Sequence, residues 1–264
     1  MRSATTPLDL LVPGPEHLPA DPAEPRLTTL HAVPAGTPHV RANMVATVDG
    51  AAWGADHRSG SINDDADWRV FRVLRAAADV VLIGAGTARH EGYTALERPA
   101  GLPAASDRPL ELALVSRSGR VPQLLADGDR PPLMITGATG ARTAARLLPA
   151  DRVLEVPSAH DPDDVDVRAG LAALAARGLA RVLCEGGPTL LAALLRDGLV
   201  DELCVTTSPS VVGPGPSRIV AAPASGPGAA PAAGVPTTPP VPARLGHLLH
   251  APGTGTLLAR WLLR

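Results

Sequence analysis

The chain has 264 residues, with 24 basic and 26 acidic side chains and a formal charge of −2. Every basic residue is arginine, so a Schiff-base lysine and a Walker A loop are excluded, and the near-neutral balance argues against nucleic acid as a partner. Hydrophobic residues make up 45 % and aromatics only 2 %, which predicts one large α/β domain with a core of alanine, valine and leucine and few rings left to stack on a ligand.

Residues 1–38 are proline-rich without a clear period. They read as an extended arm lying on the surface of a domain formed by residues 39–264, or on a partner subunit. The start has no basic, apolar leader and no stretch long enough to span a membrane, so a cytoplasmic protein without a membrane partner is expected. A strand is predicted over Val40–Val48, then a loop from Asp49 to Ile62. Asn63 is a plausible N-cap for the next helix, with Asp64, Asp65 and Asp67 in its first turn, where the helix dipole favours acids. Val70, Phe71, Leu74, Ala77 and Ala78 follow helical spacing on one face. The unbroken apolar run Val80–Ile83 reads as a strand buried on both faces.

Further strands are predicted at Leu110–Ser116, Leu133–Thr136, Arg152–Val156, Arg181–Cys184 and Asp201–Thr207. Helices are predicted at Thr139–Leu148, around Val167–Ala175, and at Thr189–Arg196, where Pro188 suits the first turn. Residues 221–242, all but free of polar side chains and rich in Ala, Pro and Gly, read as a disordered insertion. Leu245–His250 and Thr256–Leu263 read as a terminal hairpin. Strands alternating with helices imply a three-layer α/β sandwich, its central sheet mostly parallel with helices on both faces and antiparallel strands at the C-terminal edge. Cys184 and Cys204 fall in apolar runs and are expected to be buried thiols; no metal-ligand spacing is present.

Two glycine turns carry the chemistry. Glu185-Gly186-Gly187 joins a strand to a helix that starts at Pro188, and Gly84-Ala85-Gly86-Thr87 follows the buried strand. Such turns aim backbone N–H groups at a bound anion, and two of them at neighbouring strand ends would form one crevice suited to a dinucleotide. A plain tight turn is the alternative at each. Asn43–Gly50 ends a strand in a polar turn.

Three blocks, Asn43–Gly50 (NMVATVDG), Arg69–Glu91 and Cys184–Gly213, stand in the order seen in the pyrimidine reductases of riboflavin biosynthesis. The chain resembles that family, which also forms the C-terminal half of bifunctional deaminase–reductases and has a dihydrofolate-reductase-like fold. No deaminase zinc motif is present, so the resemblance is to a stand-alone reductase. It implies a homodimer that uses NADPH to reduce a ribosylaminopyrimidine. It also implies that Ala46 and Thr47 lie near the nicotinamide and that Gly84, Gly86 and Thr87 line the cofactor crevice. Ser116 would lie by the adenosine phosphate, with Arg117 a candidate partner for a 2′-phosphate or else a solvated arginine. Gly186, Gly187, Pro188, Thr189 and Leu190 would cradle the pyrophosphate.

At the substrate end the resemblance places Asn43, Arg75 and Glu185, although Arg75 also suits a solvent-facing position. Asp67 is a further candidate for binding substrate, and Glu185 and Asp67 are the acids expected to supply a proton, with water a third candidate and a helix-end charge the other reading of Asp67. The chain departs from the family where Asn43 stands for a common Lys, and where His90-Glu91-Gly92-Tyr93 replaces a segment that ends in a phosphate-holding Arg. Two readings therefore stay open beside the pyrimidine reductase: a reductase of dihydrofolate or another pteridine, and a non-catalytic dinucleotide-binding protein.

Overall fold

In the computed structural model, which describes residues 5–33, 36–104, 106–221 and 240–263, the N-terminal segment is not an arm. It forms strands β1 (Leu8–Val12) and β2 (Glu16–Leu18) and helix α1 (Pro25–Leu30). Leu8, Leu10, Leu18 and Leu27 sink into the main core and are almost fully buried. The reading of residues 1–38 as an arm missed this because Pro7, Pro13, Gly14 and Pro15 flank only five strand residues, too few for a period to stand out.

The chain then follows its predicted order. Strand β3 (His39–Thr47) leads to helix α2 (Asp65–Ala76), strand β4 (Val80–Gly84) and helix α3 (Ala85–Glu91). Next come β5 (Glu111–Val115), the short α4 (Gln123–Ala126), β6 (Leu133–Thr136), α5 (Ala138–Ala144) and β7 (Val153–Glu155). Helix α6 (Val167–Ala176), β8 (Arg181–Cys184), α7 (Pro188–Arg196), β9 (Glu202–Ser208), β10 (Arg244–Ala251) and β11 (Thr256–Leu262) complete the order. The low-complexity run read as an insertion falls largely on residues 222–239, outside the described residues.

Among the described residues one sheet of 11 strands runs β2-β1-β10-β11-β9-β3-β8-β4-β5-β6-β7. From β9 to β7 the neighbours are parallel, and the C-terminal hairpin with β1 and β2 extends the sheet antiparallel. The apolar residues of α1 to α5 pack on one face, around Val81, Ile83, Leu112 and Leu114, and those of α6 and α7 on the other, around Val80, Leu82, Ala113 and Ile135. This is the three-layer arrangement expected from the alternation of elements. Strand β4 separates the two cores, which is why its run is apolar at every position. Both cysteines are buried free thiols, and burial pushes each up to about 12.

Helix α2 starts one residue later than read. Its cap is Asp64, whose Oδ1 accepts the Asp67 N–H at 3.0 Å, while its Oδ2 accepts the Thr256 hydroxyl at 2.5 Å. Asn63 therefore precedes the cap. On α2, Ala66, Val70, Val73 and Leu74 face the core, and Trp68, Phe71 and Arg75, at offsets of three and four, face a cleft.

Buried charges fasten the N-terminal segment to this frame. Arg69 on α2 is 1 % exposed and gives Nε and Nη2 to Glu24, at 2.5 and 2.7 Å, and its remaining donors to the carbonyls of Thr6, Leu18 and Pro19. Glu202, fully buried on β9, pairs with Arg41 and Arg260, which also donate to the carbonyls of His31 and Leu30. Burial alone would push the Glu202 carboxyl up, but His39, Arg41 and Arg260 outweigh it and hold it at about 2. Glu24→Ala is expected to lower stability by about 3–5 kcal/mol in urea unfolding, since it leaves the Arg69 guanidinium buried and uncompensated. A loss below about 1 kcal/mol would show that Arg69 behaves as a surface charge.

Candidate active site

A cleft of about 720 Å³ opens at the C-terminal ends of the parallel strands. The strand order places β8 between β3 and β4, so the turn after β8 meets both Met44 of β3 and the start of α3. The two glycine turns are joined directly: Gly84 N–H donates to the Gly186 carbonyl at 2.9 Å. What reads as a glycine loop after β4 is in fact an immediate helix start, with Gly84 as its cap. Gly187 caps α7, and Pro188 stands in its first turn as expected. Neither cap offers a side chain to the first N–H groups, so both helices begin with donors available to an anion.

The glycines themselves are required. Gly186 has φ +94, and a Cβ there would lie 3.2 Å from the Met44 sulfur. A Cβ on Gly187 would run into the Thr87 hydroxyl. Gly86, Thr87, Gly187 and Pro188 all line the cleft. Thr189 is exposed, whereas the Leu190 side chain belongs to the core, so only its backbone N–H is left to face an anion.

The other end of the cleft is aromatic. Trp53, Trp68, Phe71 and Tyr93 line it, four of the five aromatic residues in the chain. The expectation that few rings remain for a ligand holds for the core and fails here. Arg75 does not face solvent: its Nε and Nη2 donate to the two oxygens of Glu185, each at 2.8 Å. Tyr93 donates its hydroxyl to Glu185 Oε2 at 2.6 Å. The Arg75 guanidinium also stands 4.3 Å from the centre of the Phe71 ring. Burial pulls Arg75 down, but the Glu185 charge overrides it, so the guanidinium stays protonated. Burial, and then the Glu185 charge, push the Tyr93 phenol well above its ordinary range, so it is a neutral donor.

Several expected site residues lie elsewhere. Asp67 is 6 % exposed, does not line the cleft, and accepts the Thr206 hydroxyl at 2.6 Å; one step round the helix from Trp68, it faces the sheet. Asn43 points to the opposite side of β3 from Met44 and borders a small void beside His31 and His247, away from the cleft. Thr47 is buried and closes the Asp49-Gly50 turn, bonding the Asp49 carboxylate and the Ala51 N–H. Ala46 is buried, and neither it nor Thr47 is in the cleft wall. Ser116 accepts the Gly119 N–H at 3.1 Å after β5. Arg117 leans away onto Asp161 and Asp164, at 3.0 and 3.4 Å.

Tyr93 and Arg89 were not singled out from the sequence. Tyr93 lies in the segment that departs from the family pattern, and Arg89 lies in no motif that the sequence offers. Arg89 reaches past Gly86 and donates to the Arg120 carbonyl at 3.4 Å, which brings two exposed arginines near the β4 and β5 ends.

A family model described as the RibD C-terminal domain matches residues 38–225. The chain belongs to that family. It is 27 % identical over 190 residues to 2,5-diamino-6-ribosylamino-4(3H)-pyrimidinone 5′-phosphate reductase of Archaeoglobus fulgidus, covering 67 % of this chain and 82 % of that one. It is 30 % identical over 191 residues to riboflavin biosynthesis protein RibD of Mycobacterium tuberculosis, covering 72 % of this chain; the matched part is about half, 48 %, of that protein. A pyrimidine reductase-like protein of Corynebacterium diphtheriae has the same fold, with a TM-score of 0.70 at 23 % identity over 90 % of this chain and 98 % of its own. No helix among the described residues is long and apolar enough to cross a membrane, and no cluster there could hold a metal ion.

Gly186→Val is expected to lower stability by about 1–3 kcal/mol, because the backbone there is left-handed. It should weaken dinucleotide binding at least ~10-fold by filling the approach to the α7 N–H groups. Calorimetry on the folded variant checks this, and unchanged affinity would show that the turn does not hold the cofactor.

Proposed function

We propose that this protein is an NADPH-dependent reductase of riboflavin biosynthesis that reduces the ribosyl group of a ribosylaminopyrimidine. The observation that carries the reading is the single cleft joining two uncapped helix starts to an aromatic end closed by Arg75, Glu185 and Tyr93. The cradle suits a dinucleotide because neither helix start offers a capping side chain to its first N–H groups, which leaves them to an anion. When bound, the reduced nicotinamide supplies the hydride, and the protein supplies placement and electrostatics.

In this reading the backbone N–H groups of Gly187, Thr189 and Leu190 hold the pyrophosphate, with Pro188 setting the first turn, and Gly84, Gly86 and Thr87 border the nicotinamide. Arg89 and Arg120 hold the 2′-phosphate, with Ser116 beside them; Arg117 has that role only if it leaves its two aspartates. The rings of Trp68, Phe71 and Tyr93 hold the pyrimidine and exclude water from the hydride path. Glu185 is no longer the proton donor. Both its oxygens accept hydrogen bonds from Arg75 and Tyr93, so it acts as the carboxylate that aims those two groups. Asp67 gives up its catalytic and substrate-binding roles for a structural bond to Thr206. Water entering from the open side of the cleft then supplies the proton. The homodimer implied by the family resemblance and the cytoplasmic setting expected from the sequence remain part of this reading, although the N-terminal segment needs no partner surface, because it packs into its own sheet.

Oxidation of NADPH, followed by absorbance, is expected with 2,5-diamino-6-ribosylamino-4(3H)-pyrimidinone 5′-phosphate or its ribosyl form and not with dihydrofolate. NADPH should be preferred over NADH by roughly ten- to a hundredfold in KM, the usual value of charge-assisted contacts to one phosphate. Arg89→Ala and Arg120→Ala together should remove that preference. Turnover of dihydrofolate alone would assign the cleft to a pteridine, and equal use of both cofactors would remove the arginines from the site.

A further inference from the structure

The charge of the cleft carries an inference about its substrate that rests on the reductase reading. The charged residues that line it are Arg75, Glu91 and Glu185. Arg75 is bound through two nitrogens to Glu185. Glu91 accepts the Ser59 N–H at 3.0 Å. His57 and His90 also line the cleft, and the Nε2 of His90 bonds the main-chain carbonyl of His57 at 2.6 Å. The wall thus holds two carboxylates and one guanidinium.

We propose that the acceptor in this cleft is a planar heterocycle that carries no phosphate ester. The pyrimidinone named for the Archaeoglobus fulgidus relative carries a 5′-phosphate. A phosphate monoester brings a charge of roughly −1.5 to −2 and needs guanidinium, ammonium or N–H partners to leave water. Here it would meet a guanidinium already neutralised by Glu185 and one further carboxylate, Glu91. The chain contains no lysine to fill the gap. Residues 222–239 leave from Ala221, whose N–H bonds the Pro188 carbonyl at the cleft edge, and they contain no basic residue, so they bring no cation wherever they run. The wall instead offers what an uncharged ring requires. Trp68 and Phe71 stand 5.4 Å apart, centre to centre, and Trp53 and Tyr93 add further apolar surface.

Three arginines among the described residues border the lining without belonging to it. Arg89 sits by Gly86, at the cofactor end. Arg58, exposed between the lining residues His57 and Ser59, and Arg218, exposed between Ser217 and Ala221, which bond the lining residues Ala52 and Pro188, are the rivals as phosphate holders.

The test is paired steady-state kinetics with NADPH on 2,5-diamino-6-ribosylamino-4(3H)-pyrimidinone and on its 5′-phosphate, for the wild type and for Arg58→Ala, with calorimetric binding of both compounds to the NADP+-loaded protein. The expected result is a kcat/KM at least ~10-fold higher for the unphosphorylated compound, matched in affinity, and unchanged by Arg58→Ala. Equal or better use of the phosphate ester overturns the inference while the reductase reading stands, and loss of that advantage in Arg58→Ala would identify the cation that was overlooked. If neither compound is bound or reduced, both the substrate class and the reductase reading fall.

Discussion

The site depends on one ion pair. Arg75 belongs to α2 and Glu185 to the turn after β8, and their two parallel hydrogen bonds connect the layer of helices on one face to the strand end that carries the glycine cradle. The pair is nearly enclosed, with the Glu185 side chain 3 % exposed and Arg75 16 %. A bidentate pair in that setting is worth more for its geometry than for its net energy, because desolvation offsets much of the attraction. What it fixes is direction: the guanidinium plane lies over Phe71, and Glu185 Oε2 is left to receive the Tyr93 hydroxyl from the far side of the cleft. Three segments of the chain meet at one carboxylate, which places the aromatic wall against the glycine turn.

The distribution of rings follows from the same constraint. A core of Leu, Val, Ile and Ala packs the two faces of the sheet. Large flat side chains are therefore not needed for the core, and four of the five gather where a flat ligand would lie. The composition that leaves few rings reflects a division of labour between core and cleft.

Most of the parallel sheet was legible because its signals are local. The apolar run Val80–Ile83, the Gly-Gly-Pro start of α7 and the terminal hairpin each announce themselves within a few residues. The N-terminal strands did not, since β1 is held by pairing with β10, some 240 positions away, and by Arg69 reaching back to Glu24. The site shows the same division. The glycine turns were legible from backbone requirements, and the resemblance pointed to Arg75 and Glu185, which the structure joins as an ion pair. The failures were matters of side-chain direction. Asp67 and Trp68 are neighbours in sequence, but the helix turns one onto the sheet and the other into the cleft, and the same alternation on β3 separates Asn43 from Met44. Tyr93 left no signal, because a single tyrosine in a segment unlike its relatives has no period and no motif.

If Glu185 acts by holding Arg75 rather than by moving a proton, the two residues work as a unit. A double-mutant cycle with Arg75→Met and Glu185→Gln, read as kcat/KM for reduction of the ribosylaminopyrimidine with NADPH, tests this most directly. The account predicts that the double variant loses about as much as either single one, a coupling of roughly 1–3 kcal/mol. Losses that simply multiply, with Glu185→Gln lowering kcat by ~10²-fold or more while Arg75 stays fully effective, would contradict it and return Glu185 to the role of proton donor.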